Sequence, residues 1–311
     1  MGGLSSPLEL GLSRADLAER AMVKRFWAWL GAHPLRLAVL AIVTVLVLGA
    51  AAKLSGPPQA ERDWYPYLGR TAHVDVSDVG FSVSPVTDWS YTSTRVVAEH
   101  YGDASFEIAD LRNVWFVLEP QPGSQLAAHT LLLFEFSNDR LIGLTIEARR
   151  EVNEDYSAFA GIWNAYELAY VWGSARDLLT RRAVMLDHQV FVYPVAIDRQ
   201  QRDFLLRRVL ARTDSLETRP RYYNTIFSNC TNELAKAAGF DWAPAFVLTG
   251  RSDEYLFERG IIPGDDFAAA NQRADMTQFI KDANAAPAAG FDAAVLAELR
   301  RRNGGVAISQ P

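Results

Sequence analysis

The apolar positions of this chain fall into runs of two kinds, and these predict most of its elements before any chemistry is considered. Three short runs are rich in β-formers and end at turn residues: "RNVWFVLEP" (112–120), "AHTLLLFEF" (128–136) and "RLIGLTIEARRE" (140–151). The first reads as a buried strand followed by a turn at 121–124. The other two, separated by "SNDR", read as an antiparallel hairpin. Residues 155–183, "DYSAFAGIWNAYELAYVWGSARDLLTRRA", show aromatics at three- to four-residue spacing. That spacing predicts one long helix whose face carries Phe159, Trp163, Tyr166, Tyr170 and Leu178 for core packing. "HQVFVYPVAID" (188–198) predicts another strand, and the segment after it a helix with Asp198 as N-cap. A last helix over "AAVLAELRRRN" stops at Gly304. This order of elements predicts an α+β domain with an antiparallel sheet packed on helices.

One run is different. Residues 37–52, "LAVLAIVTVLVLGAAA", carry no charge and lie between Arg36 and Lys53. A spanning helix takes about 20 apolar residues, and snorkelling by the flanking cations extends this run. Trp27 and Trp29 precede it, where interfacial aromatics belong. A cleaved signal peptide is the rival reading, but the run begins deeper in the chain than signals do, so an uncleaved transmembrane anchor is expected. Arg14, Arg20, Lys24, Arg25 and Arg36 before the run predict a cytoplasmic N-terminus. The expected organisation is a cytoplasmic segment (1–34), an anchor (35–54), a linker with the N-terminal part of the exported domain (55–110) and the main domain (111–311). "SGPPQAERDWYPYLGR" (55–70) reads as the linker.

Composition is globular, with 49% apolar and 22% charged residues. Beyond the anchor, Asp and Glu outnumber Lys and Arg by 34 to 25. An acidic domain is a poor match for a phosphate backbone, so no nucleic-acid partner is expected. Metal-ligand spacings and nucleotide-binding loops are absent, and no cofactor is expected.

Cys230 is the only cysteine, so the chain has no internal disulfide. It stands in "YYNTIFSNCTNELAKAAGF" (222–240), where Ser228 or Asn229 can cap a helix, Glu233 suits its first turn and Gly239 ends it. A thiol at a helix N-terminus faces unpaired N–H groups that favour thiolate and stabilise an oxyanion. The competing reading is a passive buried thiol. "NCT" also fits a glycosylation sequon.

A nucleophilic cysteine needs a base. His33 precedes the anchor, His73 and His100 lie in polar stretches, and His188 follows Asp187 at a strand start. His129 shares a strand face with Leu131 and Leu133. Glu147, which interrupts the facing strand opposite to the side of Leu144 and Ile146, lies near His129 if the hairpin pairs. It would then orient the imidazole. Arg149 or Arg150 competes as an ion partner for Glu147. Asn224 and Asn229 are candidates for the oxyanion site or pocket, and Tyr222 and Tyr223 for the pocket lining.

These residues resemble a known family. "HTLLLFEF…LTIEARRE", the aromatic segment and "YYNTIFSNCTNELAK" are similar to the Lnb N-terminal periplasmic domain, over roughly residues 110–250. The order of His before a helix-opening Cys also resembles circularly permuted papain-like folds of the NlpC/P60 group. The resemblance implies a Cys230–His129 pair with Glu147 third, and acyl chemistry at the periplasmic face of a bacterial inner membrane. Lnb proteins move a fatty acyl chain onto the α-amine of a lipidated cysteine, so a phospholipid or lipoprotein substrate is implied. Their several membrane helices after the domain have no counterpart here. A peptidoglycan amidase or endopeptidase, and a non-catalytic envelope protein with a structural thiol, are the alternatives.

Overall fold

A computed structural model describes residues 21–304, apart from 26, 27 and 30. Arg14, Arg20 and Trp27 lie outside the described residues. Two compact units result, residues 1–56 and 57–311. The described part of the first contains a 22-residue helix, Pro34–Ser55, with Leu35, Val39, Leu40, Ile42 and Val43 among its exposed side chains. Among the described residues no helix is long and apolar enough to cross a membrane.

The second unit is built on one mostly antiparallel sheet. Its strands are β1 (His73–Val76), β2 (Gly80–Thr87), β5 (Tyr101–Glu107), β6 (Leu111–Pro120), β7 (Ala128–Phe136), β8 (Arg140–Arg149), β9 (Glu167–Ser174) and β10 (Phe191–Pro194). The order is β1-β2-β9-β8-β7-β6-β10, with β5 also paired to β2. A small ribbon of β3 (Ser90–Tyr91) and β4 (Val96–Ala98) stands apart from it.

The central strands read as continuous apolar runs because both faces of the sheet are covered. On one face Leu132, Phe134, Leu144 and Trp172 pack with Leu206 and Leu210 of the helix Arg199–Thr218 and with Leu234 of the helix Cys230–Ala238. On the other, Leu131, Leu133, Trp115 and Val117 pack against the helices Ala175–Thr180, Thr277–Asn284 and Phe291–Asn303. The β7–β8 hairpin forms as expected, with Asn138 and Asp139 in the left-handed region closing the turn. Asp198 caps its helix through a full capping box, and the last helix meets Gly304 at its C-cap.

Two expectations are corrected. The long aromatic helix at 155–183 is instead a short helix, Ala158–Ile162, then strand β9, then the helix Ala175–Thr180. Phe159 and Trp163 are exposed, whereas Tyr166, Tyr170 and Leu178 are buried. The physical reason is a second periodicity in the same residues. Tyr166, Leu168, Tyr170 and Trp172 alternate onto one core, while Ala169 and Val171 face another. Pairing with β8 along the whole of β9 favours the period of two over that of 3.6. Asn164, at φ 54°, ends the preceding helix, and Gly173 lets β2 approach β9 closely, since a Cβ there would stand 2.6 Å from Thr87 Oγ1.

The second correction is the linker. Residues 57–70 pack on the domain: Tyr67 and Leu68 are buried, and Arg149 donates to the carbonyls of Ala60, Leu68 and Gly69.

Candidate functional site: a thiol and an imidazole in one cavity

The Cys230 helix begins where its sequence places it. Asn229 is the N-cap, its side chain accepting from the Asn232 N–H at 2.8 Å, and Gly239 ends the helix in the left-handed conformation. Cys230 is therefore the first helical residue. The Asn229 side chain takes Asn232 N–H and its carbonyl takes Glu233 N–H, which leaves the N–H groups of Cys230 and Thr231 for an incoming oxygen.

Two anchors hold this helix on the sheet. Thr130 on β7 bonds Thr231 through their hydroxyls at 2.9 Å. Glu233, fully buried, receives Arg212, Arg221, Lys236 and the hydroxyls of Tyr170 and Ser228. Burial opposes ionisation of Glu233, but Arg221, Lys236 and the Ser228 hydroxyl outweigh it and bring its pKa down to about 2.

The imidazole comes from the neighbouring strand. Leu131 pairs with Thr145 across the hairpin, so the same register continued by two residues sets His129 opposite Glu147. His129 Nε2 lies 2.6 Å from Thr145 Oγ1 and 3.2 Å from Glu147 Oε1, and Thr145 donates its own proton to Glu147 at 2.7 Å. Nε2 thus carries a proton, and Nδ1 is the nitrogen left for the thiol.

Cys230 is buried, which by itself pushes a thiol up. The charge of His129, a hydrogen bond from it and a hydrogen bond from Thr130 N–H overcome this and bring Cys230 down to about 7. Burial likewise opposes charge on His129, but Glu147 and Cys230 raise it to about 10. Glu147 is driven well below the usual carboxylate range against its own burial, chiefly by His129. Each charge therefore stabilises the other, and the pair favours thiolate and imidazolium over the two neutral groups.

Both residues open on a cavity of about 400 Å³, lined also by Leu68, Ile146, Leu186, Val247, Tyr156 and Tyr223. Its polar side holds residues that the sequence reading did not gather. Arg182, which lies in a π-helical turn at Arg181–Met185, spans two carboxylates, with Nε 2.9 Å from Glu119 and an Nη 3.3 Å from Glu147. Thus Arg182, not Arg149 or Arg150, is the cation of Glu147. His188 bonds Glu119 through Nδ1 in the same cavity. No local spacing signals this network, since its members join across 35 and 69 residues of chain.

The other candidates divide. Tyr223 lines the cavity beside Tyr156, their hydroxyls 3.2 Å apart. Asn229 lines it, but its amide donates to the carbonyls of Thr225 and Phe246. That makes it a cap and a staple, and burial at 2% exposure closes the sequon in the folded domain. Asn224 and Tyr222 lie outside the lining. Asn224 donates to Ile162 O and accepts from Ile226 and Phe227, which makes it a turn anchor, and the Tyr222 hydroxyl bonds Pro57 O. His73 is exposed and bonded to Glu217.

The arrangement defines an α+β domain in which a helix-capped thiol and a strand-borne imidazole line one cavity. The chain belongs to the Lnb N-terminal periplasmic domain family, whose model matches residues 98–265, and this domain is a periplasmic one. The match runs beyond both ends of the motif-bearing stretch and contains Cys230, His129, Glu147, Arg182, Glu119 and His188, whereas Leu68 of the cavity wall precedes it. Comparison with curated proteins and with solved structures finds no match to this chain.

Proposed function

We propose that this protein is a membrane-anchored periplasmic acyl-transfer enzyme, with phospholipid or lipoprotein acyl groups as substrate and an acyl-thioester on Cys230 as intermediate. The observation that carries the reading is the Cys230–His129 pair at a helix N-terminus, open to a cavity with one apolar and one polar side. The thiolate attacks the ester carbonyl carbon, and a C–S bond forms. The developing oxyanion meets the N–H groups of Cys230 and Thr231. His129 Nδ1 then gives its proton to the departing alcohol oxygen as the C–O bond breaks. Glu147 and Thr145 hold Nε2–H throughout, which fixes the ring and supports its charge.

A permuted papain-like core is consistent with the chain order, in which a His-bearing hairpin precedes a helix-opening Cys. Anchoring in the bacterial inner membrane rests on the uncharged run 37–52 and on the apolar side chains that the helix Pro34–Ser55 exposes.

The test is the intact mass of the full chain in detergent micelles mixed with phospholipid, beside Cys230→Ala and His129→Ala. A fatty acyl mass on Cys230 is expected in the wild type and in neither variant. No adduct, together with slow alkylation of Cys230 by iodoacetamide at pH 7, would leave the thiol a structural residue and end the proposal.

A further inference from the structure

The cavity contains two imidazole–carboxylate pairs, and the reaction above uses only one of them. His129 faces Glu147, and His188 faces Glu119. The two pairs are neighbours by construction: Glu119 on β6 pairs with His129 on β7, and Arg182 bridges the two carboxylates. His188 is placed from the far side by the turn that carries Arg182, its N–H bonding Arg182 O at 3.0 Å.

Glu119 has a cation besides His188, the Arg182 guanidinium that it shares with Glu147. It is 3% exposed and already has Arg182 Nε at 2.9 Å. Burial works against its ionisation, yet the hydrogen bond from His188 and the charge of Arg182 hold it below the usual carboxylate range. An ionised Glu119 accepts from Nδ1–H and so leaves Nε2 of His188 as the acceptor nitrogen. The ring is 16% exposed and lines the cavity. His129 differs here, because Thr145 and Glu147 occupy its Nε2.

We infer that His188, oriented by Glu119, is the second base of this site and takes the proton of the acceptor nucleophile in the step that empties Cys230. The inference rests on the acyl-enzyme reading. An acceptor nitrogen or oxygen attacks the thioester carbonyl carbon, and a new C–N or C–O bond forms. The C–S bond breaks with its electron pair on Sγ, restoring the thiolate beside His129. The acceptor's proton passes to His188 Nε2 and from there to solvent, while His129 Nδ1, which gave its proton to the alcohol, regains one from solvent before this step and faces the departing thiolate as a cation. Two bases divide the work, with His129 serving the thiol and the first leaving group and His188 serving the acceptor.

The experiment separates the two steps. The full chain in micelles is mixed with p-nitrophenyl octanoate, and the release of p-nitrophenol is followed as a burst and a steady rate, with water alone and with added glycinamide. In His188→Gln, which keeps a donor for Glu119, the burst is expected within about threefold of wild type, while the steady rate falls by about 10²-fold. Octanoyl-Cys230 should then accumulate by intact mass. The preserved burst also shows that the variant is folded. Burst and steady rate falling together, or a steady rate left unchanged, would overturn the second base and leave the acyl-enzyme standing. A wild type with no burst and no adduct would overturn both.

Discussion

Two helices in this domain start in the same way and serve different ends. The helix Arg199–Thr218 opens at Asp198, whose carboxylate accepts from the Gln201 N–H at 2.8 Å while Gln201 reaches back to the cap. The helix Cys230–Ala238 opens at Asn229, whose amide oxygen accepts from the Asn232 N–H at the same 2.8 Å. Each cap satisfies one orphan donor, and the two residue types cap about equally well. They differ in charge. Asp198 brings a negative charge that offsets the positive end of its helix. Asn229 is neutral, so the field of its helix falls on the thiol that follows. The Cys230 helix is also buried and pinned by Glu233, where the other helix start is exposed. A cap chosen for stability alone can be an acid, whereas a cap beside a thiolate works best uncharged.

The largest effect is expected at the pin. Glu233→Leu leaves Arg212, Arg221 and Lys236 without their shared partner and should cost about 3 kcal/mol in chemical denaturation. Because the folded carboxylate is held down near 2, the stabilisation is complete above the unfolded value of about 4.3. It is lost as pH falls toward about 2, so the gap between wild type and variant should close in that window. A gap that stays constant down to pH 2 would remove the ion pairs from the account.

Next comes the imidazole. His129→Ala removes the charge that lowers Cys230, so the thiol should titrate above its present value of about 7. Alkylation by iodoacetamide at pH 7 should slow by at least about tenfold. An unchanged rate would mean that the helix start alone sets the thiolate, the opposite of what the burial of Cys230 implies.

Asn229→Asp tests the comparison directly by giving the second helix the cap of the first. The carboxylate can still accept from Asn232 N–H, but it loses the two donated bonds and sets a like charge beside Sγ. The thiol pKa should rise by about one unit, read as a shift in the pH profile of alkylation. The smallest effect belongs to Asp198→Ala, which should cost about 1 kcal/mol and leave the alkylation profile unmoved. A moved profile would show that the two helix starts are coupled.

Much of the site was legible because it rests on local rules. The cap, the thiol and the terminating glycine of the Cys230 helix lie within eleven residues and need no tertiary partner. The closeness of His129 and Glu147 followed from a hairpin whose three-residue turn fixes its register. The polar floor was not legible. Thr145 read as one more strand residue, and Arg182 as a charge near the end of a helix. Their roles depend on the π turn that carries Arg182 across to Glu147 and Glu119. Asn224 and Tyr222 looked like site residues because they sit near the thiol in sequence. The chain between them and Cys230 folds back on itself, with Asn224 bridged to Ser228, and their side chains serve that turn.

The sequence by itself determined the hairpin, the Asp198 helix and the Cys230 helix with both its caps. Each of these depends on residues a few positions apart or on one tight turn, where the backbone has few conformations to choose from. Only the tertiary structure decided that residues 167–174 form a central strand, since their aromatics satisfy both periods until β8 is present to pair with them. It also decided that a second imidazole joins the first. That meeting depends on closing chain segments far apart in sequence, and the gain that closes them is the burial of two sheet faces, which local pattern does not encode.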